Sequence, residues 1–394
     1  MNKEYRLNSY LSYAHALSDS AHIIFGLTLY FVSDNLDINI LTMGFIYNLS
    51  SILRGISGVF AGILSDKSNF LYWIILFAAL STLGCLILSI SNNTNIFTIG
   101  IIILAIGSGI YHPVGLSAIT KFTVNPGKSF GYHGLGGAIG ISLAPWFFIN
   151  ISSTYSWQIA YLLYGFLSLP IMFIYFDKEV RNLTYTKPTT KNSKEYNLNI
   201  NIKKSYPIYL FASLKDFSIS GLLLMLAAFI NTSIMNQWQN IIDINFHTSI
   251  ISSLIIIMGG FGSFIGGNLD SNNNRKYILI ISCLISGLLF IIIFNHLNYL
   301  IIIFSLISFL MSFSDPSLGN WLGSTIPKRM QGTSFALMYG SGQIVGSFSG
   351  SLAGIIVDNY NTITYFKILS IPLILASLLI IIMYPKSKKI IKHF

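Results

Sequence analysis

Charged side chains are scarce in this sequence. Only 9% of its 394 residues are Asp, Glu, Lys or Arg, and 53% are apolar. An average water-soluble domain has about 25% charged residues. A soluble fold of this length would leave too much apolar surface in contact with water. The composition therefore excludes a soluble domain and predicts an integral membrane protein.

Cysteine is almost absent, and so are the short motifs of common enzyme sites. The two cysteines, Cys85 and Cys283, both lie inside apolar runs, which excludes a disulfide framework and predicts buried free thiols. The sequence has no phosphate-binding glycine loop, no histidine spacing typical of a metal site and no nucleophile paired with a base. We therefore expect a protein that is not an enzyme and that has no cofactor or metal.

The excess of basic residues does not indicate a nucleic-acid partner. The formal net charge is +10, but the Lys and Arg residues lie in short gaps between apolar runs. This distribution is typical of membrane proteins, whose basic loops stay on the cytoplasmic side. The first residues lead into a long apolar segment without a cleavage site, so we expect no removable signal peptide.

Twelve apolar segments are long enough to cross a bilayer, which takes about 20 helical residues. We predict them near 8–33, 40–64, 70–92, 95–119, 128–150, 157–176, 206–230, 247–268, 277–295, 298–322, 331–355 and 362–384. The predicted fold is an all-α membrane protein with twelve transmembrane helices in two six-helix bundles. The bundles are residues 1–176 and 206–394, the second with a short basic tail, and the polar stretch 177–205 links them.

The loops alternate in charge along the chain. Lys and Arg occur before the first segment, in every second loop, in 177–205 and after the last segment, whereas the other loops have none. Because basic loops remain cytoplasmic, we predict that both termini and the linker lie in the cytoplasm of a multi-pass cell-membrane protein.

The two halves of the chain repeat each other at an offset of 203–206 residues. Such internal symmetry is typical of transporter folds, and four matches at nearly one offset indicate a duplication. The matching pairs are 54–67 with 259–270, His112-Pro113 with Asp315-Pro316, GKSF (127–130) with GTSF (332–335), and GLGGAIG (134–140) with GSGQIVG (340–346).

The junction of the second and third segments contains Gly62, Asp66 and Lys67. A glycine, an aspartate four residues later and then a basic residue resemble the signature of the major facilitator superfamily. The further basic run of that signature is absent, since the chain continues with Ser68 and Asn69. The resemblance implies that helices one, four, seven and ten line a central cavity.

Three further segments are similar to the fosmidomycin-resistance-type efflux proteins within that superfamily. They are His15 with Asp19, GSGIYHP (107–113) and SFGYHGLGGAIG (129–140). Val114 stands where that group commonly has an acidic residue after His-Pro. The similarity implies export of a small molecule.

Ionisable residues lie deep inside several predicted helices. At 1.5 Å per residue, Asp19, Arg54 and His112 are about 16, 18 and 13 Å from the cytoplasmic helix ends. A charge at mid-bilayer costs about 2.5–3.5 kcal/mol, so such residues are candidates for a functional site. Comparable depths in the second half are reached by Lys215, Asp216 and Asp315.

We predict that Asp19 binds and releases a proton and pairs with Arg54; a purely structural ion pair is the alternative. The candidate proton-coupling residues are Asp19, His15, His112 and Asp315. The candidate substrate-binding residues are Arg54, Lys215, Asp216, Tyr111, His133 and Trp321. For His112 and His133, helix bending and packing are the alternatives.

A second set of residues is predicted to hold one conformation of the transporter. A carboxylate where a helix leaves the membrane can meet the N-terminus of a neighbouring helix or an arginine in a loop. The residues predicted to form this conformational latch are Gly62, Asp66, Lys67, Asp270 and Arg275.

The sequence thus predicts a monomeric secondary active transporter that works by alternating access in the lipid bilayer. Proton-coupled efflux of a small molecule is the first hypothesis. Proton-coupled uptake of a small organic anion or metabolite is the alternative, since Arg54 and Lys215 suit an anionic group. A non-transporting membrane sensor on the same fold is the alternative of another class.

Overall fold

Helices make up nearly all of the chain that the structure describes, which is residues 3–32, 36, 38, 40–185, 198–237, 244–294 and 296–384 of a computed structural model. The α-helices are α1 (Lys3–Val32), α2 (Ile40–Ser65), α3 (Phe70–Ser89), α4 (Thr94–Phe122), α5 (Pro126–Thr154), α6 (Trp157–Ser168), α7 (Lys178–Tyr185), α8 (Leu198–Gln237), α9 (Ile244–Leu269), α10 (Arg275–Ile291), α11 (Leu297–Phe313), α12 (Asp315–Thr325), α13 (Gln331–Asn359), α14 (Thr362–Ile368) and α15 (Ser370–Met383). Short 3-10 helices follow α6 (Leu169–Tyr175) and precede α13 (Lys328–Met330).

Polar residues in the short loops set several helix starts. The side chains of Asn93, Asn125, Ser156 and Asn361 each accept a hydrogen bond from a backbone N–H in the first turn of the helix that follows. Pro126 comes directly after Asn125, at a position where its missing N–H has no helical partner to lose. These caps satisfy donors that would otherwise be unpaired at the helix ends.

The apolar length of the helices confirms a multi-pass membrane protein. Nine segments in the described residues are long and apolar enough to cross a membrane. They are 70–89, 94–122, 126–154, 157–175, 205–237, 246–269, 297–325, 328–359 and 362–383. The nine do not include α1, α2 and α10; α10 has 17 residues and is about 26 Å long.

The structure differs from the prediction in two regions, the linker and the predicted span 298–322. Helix α7 lies inside the stretch 177–205 that we predict as a linker, and α8 begins at Leu198 rather than near 206. Residues 186–197 lie outside the described part. The predicted span 298–322 is two helices that meet at Ser314, because Pro316 cannot donate the backbone hydrogen bond that would continue α11.

The helices pack as two sets, α1–α6 and α8–α15. In the first set α5 and α4 contact α1, and α4 also packs on α2 and α3. In the second set α13 and α15 contact α8, and α11 packs on α9. The two sets meet chiefly along α5 with α9 and along α2 with α13, so these crossings decide the shape of the space between them.

The α2–α13 crossing is tight at one end only. A Cβ on Gly62 would lie 2.5 Å from both the Gly332 carbonyl oxygen and the Ala336 Cβ, so only glycine allows this approach. A Cβ on Gly55, two turns earlier in α2, or on Gly354 of α13 would meet nothing within 4 Å. Along α2 and α13 the two sets therefore touch at the Gly62 end and separate toward the other end.

Candidate functional site

A cavity of about 350 Å³ lies between the two helix sets. Small-molecule sites commonly have volumes of about 300–1,000 Å³, so this space is large enough for a substrate. The wall from the first set carries ionisable groups on α1, α4 and α5, and the wall from the second set carries them on α8 and α12. These ionisable residues are His15, Asp19, His112, His133, Asp216 and Asp315.

Asp19 is the centre of the polar cluster on the first wall. Its Oδ2 lies 3.0 Å from His15 Nε2, and its Oδ1 lies 2.8 Å from His112 Nε2. The Arg54 Nη2 is 3.7 Å from Oδ1, within the distance of an ion pair. The carboxylate therefore has two imidazoles and a guanidinium as neighbours, from α1, α4 and α2.

The hydrogen bonds of His15 indicate a proton between its Nε2 and the Asp19 carboxylate, in addition to the one on Nδ1. His15 Nδ1 lies 2.8 Å from the backbone carbonyl oxygen of His133, which can only accept, so Nδ1 carries a hydrogen. In a neutral ring Nε2 would then have only a lone pair, facing the Asp19 carboxylate at 3.0 Å. Two acceptors at this distance need a proton between them. The His15–Asp19 contact can therefore store one proton.

The same three side chains have the chemistry of a metal site. Ligand atoms of His15, Asp19 and His112 lie within 4.8 Å of one another. Two imidazoles and a carboxylate suit several transition metals. The Arg54 guanidinium, 3.4 Å from His112 Nε2, opposes a second cation there through Coulomb repulsion. The arrangement is thus better suited to a proton than to a metal ion.

Arg54 lies behind Asp19 rather than at the main cavity. Its side chain is buried, borders a separate cavity of about 30 Å³ that is large enough for a water molecule, and lies over the Tyr339 ring at 5.8 Å from the ring centroid. Tyr339 in turn stacks on His112 with 4.3 Å between ring centroids. The sequence predicts Arg54 as a substrate ligand, but in the structure its guanidinium contacts Asp19 and His112.

Lys215 and Asp315 form an ion pair on the second wall. The Lys215 Nζ donates to Asp315 Oδ1; the lysine side chain is 1% exposed and that of Asp315 is 49% exposed. Asp315 therefore borders the cavity, whereas Lys215 supports it from behind. Asp216, the next residue of α8, lines the cavity and places its carboxylate against Gly342 of α13.

Three other predicted site residues occupy different positions. Tyr111 is fully buried; its hydroxyl donates to the Leu11 carbonyl oxygen and lies 2.8 Å from His133 Nε2. Because that hydroxyl hydrogen is already used, His133 Nε2 donates to the tyrosine oxygen. Tyr111 therefore orients His133, which lines the cavity. Trp321 packs on Tyr384, with ring centroids 4.8 Å apart, outside the cavity lining described above.

Asp66 connects the two helix sets at the tight end of the cavity. Its carboxylate accepts hydrogen bonds from the backbone N–H groups of Gly332 and Thr333, both at 2.8 Å, and from Thr333 Oγ1 at 2.9 Å. These residues form the first turn of α13, where a negative charge also meets the positive end of the helix dipole. The predicted contact with a helix N-terminus is thus present.

The cation beside Asp66 differs from the predicted one. Lys121 of α4 donates to Asp66 Oδ1 at 2.9 Å, whereas the Lys67 side chain is exposed and lies outside this contact. Asp270 accepts two hydrogen bonds from Arg275, at 3.0 and 2.9 Å, as the sequence suggests. Its further donors, not foreseen from the sequence, are Ser317 and Asn320 of α12.

The residues that sequence reasoning missed have few local signals. Gln343 lines the cavity from α13, and only the repeat GSGQIVG points to this position. Lys121 falls in a predicted basic loop and lies in the last turn of α4 in the structure, so hydropathy places it close to the correct depth without giving its partner. Thr333 lies in GTSF, the repeat of GKSF, which is a usable signal for an interface role.

Comparison with known proteins agrees with this architecture. The structure aligns with the proton:xylose symporter XylE bound to 6-bromo-6-deoxy-D-glucose, with a TM-score of 0.71, 11% identity, and 95% of this chain and 94% of that chain covered. It aligns with the human organic anion transporter MFSD10 (TETRAN) with a TM-score of 0.72, 12% identity, and 96% and 100% covered. Identities this low show a shared fold. No curated protein matches the sequence.

The sequence itself matches a family model in two overlapping segments. The model of the Major Facilitator Superfamily covers residues 11–271 and again 217–393, nearly the whole chain. Together with the helical fold and the central cavity, this supports secondary transport of a small molecule across a membrane. The chain belongs to the Major Facilitator Superfamily.

Proposed function

We propose that this chain is a proton-coupled secondary transporter that exports a small molecule by alternating access. The proton contact between His15 and Asp19, on the wall of the central cavity, is the observation that carries the proposal. Because this proton lies next to the substrate space, its release can be coupled to binding of the substrate. Resemblance to the fosmidomycin-resistance-type efflux proteins supports the direction of transport.

The proposed arrangement in the membrane has twelve spans in two six-helix bundles. The nine long apolar segments, together with α1, α2 and α10, supply the twelve. Under the positive-inside rule both termini and the segment between α6 and α8 are cytoplasmic, in the cell membrane. The Asp66 end of the cavity then faces the cytoplasm.

The contacts at that end support an outward-facing conformation. Gly62 of α2 and Asp66, which directly follows α2, hold the start of α13, and Gly131 of α5 packs against the Ser263 and Gly267 backbone of α9. Alternating access requires both contacts to open while the opposite end closes. The residues around Asp66 therefore act as a latch for one of the two states.

Uptake of an organic anion, the second function considered, has weaker support. MFSD10 is described as an organic anion transporter, and its fold is similar to this one. An anion would need a free cationic side chain, but Arg54 and Lys215 already contact Asp19 and Asp315. Export by proton antiport needs no such rearrangement.

Flux measurements in proteoliposomes test the proposal. The full chain is reconstituted and assayed with a panel of organic cations, organic anions and sugars, with and without an imposed pH gradient. We expect gradient-driven transport in the wild type and its loss in Asp19→Asn, which retains exchange without a gradient. Asp358→Asn, at an exposed end of α13, is the matched control and should behave as wild type. Transport that ignores the gradient and survives Asp19→Asn would refute proton coupling; no flux for any compound would favour the sensor.

A further inference from the structure

Apart from the proton between His15 and Asp19, the charges on the cavity wall are of one sign. Among the residues that the structure describes, the lining contains the carboxylates of Asp19, Asp216 and Asp315 and no lysine or arginine side chain. Arg54 and Lys215 lie behind two of these carboxylates and are buried. A substrate in the cavity therefore meets carboxylates and imidazoles first.

Asp216 differs from the other two carboxylates. In the described part of the chain its carboxylate forms no ion pair and accepts no hydrogen bond, whereas Asp19 and Asp315 each have a basic partner. It projects from α8 to the backbone of Gly342, where a larger residue would collide with Oδ2. The glycine thus makes room for a carboxylate that has no ion-pair or hydrogen-bond partner in this part of the chain.

The charge balance around the cavity depends on the stored proton. Three carboxylates face two permanent cations, so the group has one net negative charge when His15 is neutral. The proton in the His15–Asp19 contact brings the balance to zero. A monovalent cation at Asp216 has the same effect after that proton has left. A proton and a cation are therefore alternative ways to neutralise this low-dielectric site, whereas an anion adds to the imbalance.

Most of the remaining lining is apolar, apart from Tyr339, Gln343 and three serines, and this apolar part defines the other half of the ligand. Side chains such as Leu116, Phe130, Ile219, Leu222 and Met338 surround the polar groups. Apolar walls with a few placed polar groups bind ligands that have a hydrophobic body.

We infer that the substrate is an amphipathic organic cation whose positive charge binds at Asp216. The inference rests on the proposed transport function and names the substrate class for the same cavity. Both structural neighbours are described with other ligands, a sugar analogue and organic anions, so the assignment comes from this chain's own charges.

Two probe ions of the same shape and opposite charge test the inference. Purified full-length protein in detergent is equilibrated with radiolabelled tetraphenylphosphonium or tetraphenylborate, and bound ion is counted after dialysis. We expect saturable binding of the phosphonium and no saturable binding of the borate. Tighter binding of the borate, or equal binding of both ions, overturns the inference without any variant being needed.

Variants of the carboxylate then locate the charge. Asp216→Asn should weaken phosphonium binding about 10-fold to 150-fold, the value of one charge-assisted contact. Asp216→Glu keeps the charge and should bind nearly as the wild type does, which separates loss of charge from loss of folding. Asp358→Asn is the distant control. Unchanged affinity in a folded Asp216→Asn protein places the cation elsewhere and overturns the assignment.

The outcome is independent of the test of proton coupling. Preference for the phosphonium can hold while flux ignores the pH gradient, in which case the substrate class stands and the coupling proposal fails. If flux of an anion is driven by the gradient and the phosphonium does not bind, the coupling proposal stands and the substrate class is wrong.

Discussion

Replacement of Asp66 by asparagine tests whether this residue holds the two helix sets together. The carboxylate accepts three hydrogen bonds from the first turn of α13, two from backbone N–H groups and one from Thr333 Oγ1. All three cross from one helix set to the other, so they are lost when this end of the cavity opens. Lys121 belongs to the same set as Asp66 and can keep its ion pair in both states.

The size of the effect follows from these contacts. The Asp66 side chain is 5% exposed, so water screens its charge little. Asparagine keeps one acceptor oxygen, loses the charge and points an NH₂ group at the backbone donors of Gly332 or Thr333. Given about 1.5–3 kcal/mol for a bond to a charged group and about 1–3 kcal/mol for an unsatisfied donor, the closed state loses about 2–4 kcal/mol, or about 30-fold to 700-fold in the equilibrium.

Distances between spin labels measure this equilibrium. Labels are attached at Lys67→Cys and Lys328→Cys, two exposed positions on either side of the contact, after replacement of Cys85 and Cys283 by serine. Pulsed electron paramagnetic resonance then gives the fractions of short and long distances. We expect the long-distance fraction to rise sharply in the Asp66→Asn protein.

Lys121→Gln is the matched control, because it removes a partner of Asp66 without touching a contact between the helix sets. We expect its distance distribution to stay close to that of the parent. If Asp66→Asn leaves the distribution unchanged, or if Lys121→Gln shifts it as much, the Asp66 contact does not stabilise the closed end.

Three further substitutions test other contacts. Asp315→Asn leaves the buried Lys215 ammonium unpaired and should reduce stability by about 3 kcal/mol, a lower-end value because Asp315 is half exposed; adding Lys215→Met should restore the melting temperature, and no rescue contradicts the pairing. Gly62→Val should open the α2–α13 contact in the spin-label assay, whereas Gly55→Val should not, since only the first has a close neighbour; equal effects contradict the packing argument. Trp321→Phe should leave the KM for transport unchanged, because the ring packs outside the cavity, and a raised KM would place it at the substrate.

The depth of each charged residue in the membrane was predictable from sequence, but the side of the helix on which it faces its neighbours was not. A helix advances 1.5 Å per residue, so counting residues places Asp19, Arg54 and His112 at similar depth. Which of them borders the cavity depends on rotation about the helix axis. Lys215 and Asp216 illustrate this: they are adjacent, point about 100° apart and have different environments, one buried behind Asp315 and one on the cavity wall.

The latch shows the same division. The repeat and the helix exits predict that Asp66 meets a helix N-terminus, because a carboxylate there satisfies backbone donors. The choice of Lys121 over Lys67 as its cation depends on where α4 ends beside α2, which involves helices separated by more than 50 residues of sequence. A local sequence pattern therefore does not show which lysine contacts Asp66.

The amino-acid sequence by itself determined that this protein lies in a membrane and that its halves are related, and it determined which residues carry charge into the interior. Those properties follow from composition and from periods along the chain. Tertiary structure alone decided that Asp19, beside His15 of its own helix, also contacts His112 and Arg54, that Lys215 pairs with Asp315, and that Asp216 faces the cavity without an ion-pair partner among the described residues. The physical reason is that a charge acts through its nearest neighbours, and in a helical bundle these come from helices distant in sequence whose rotations are set by packing.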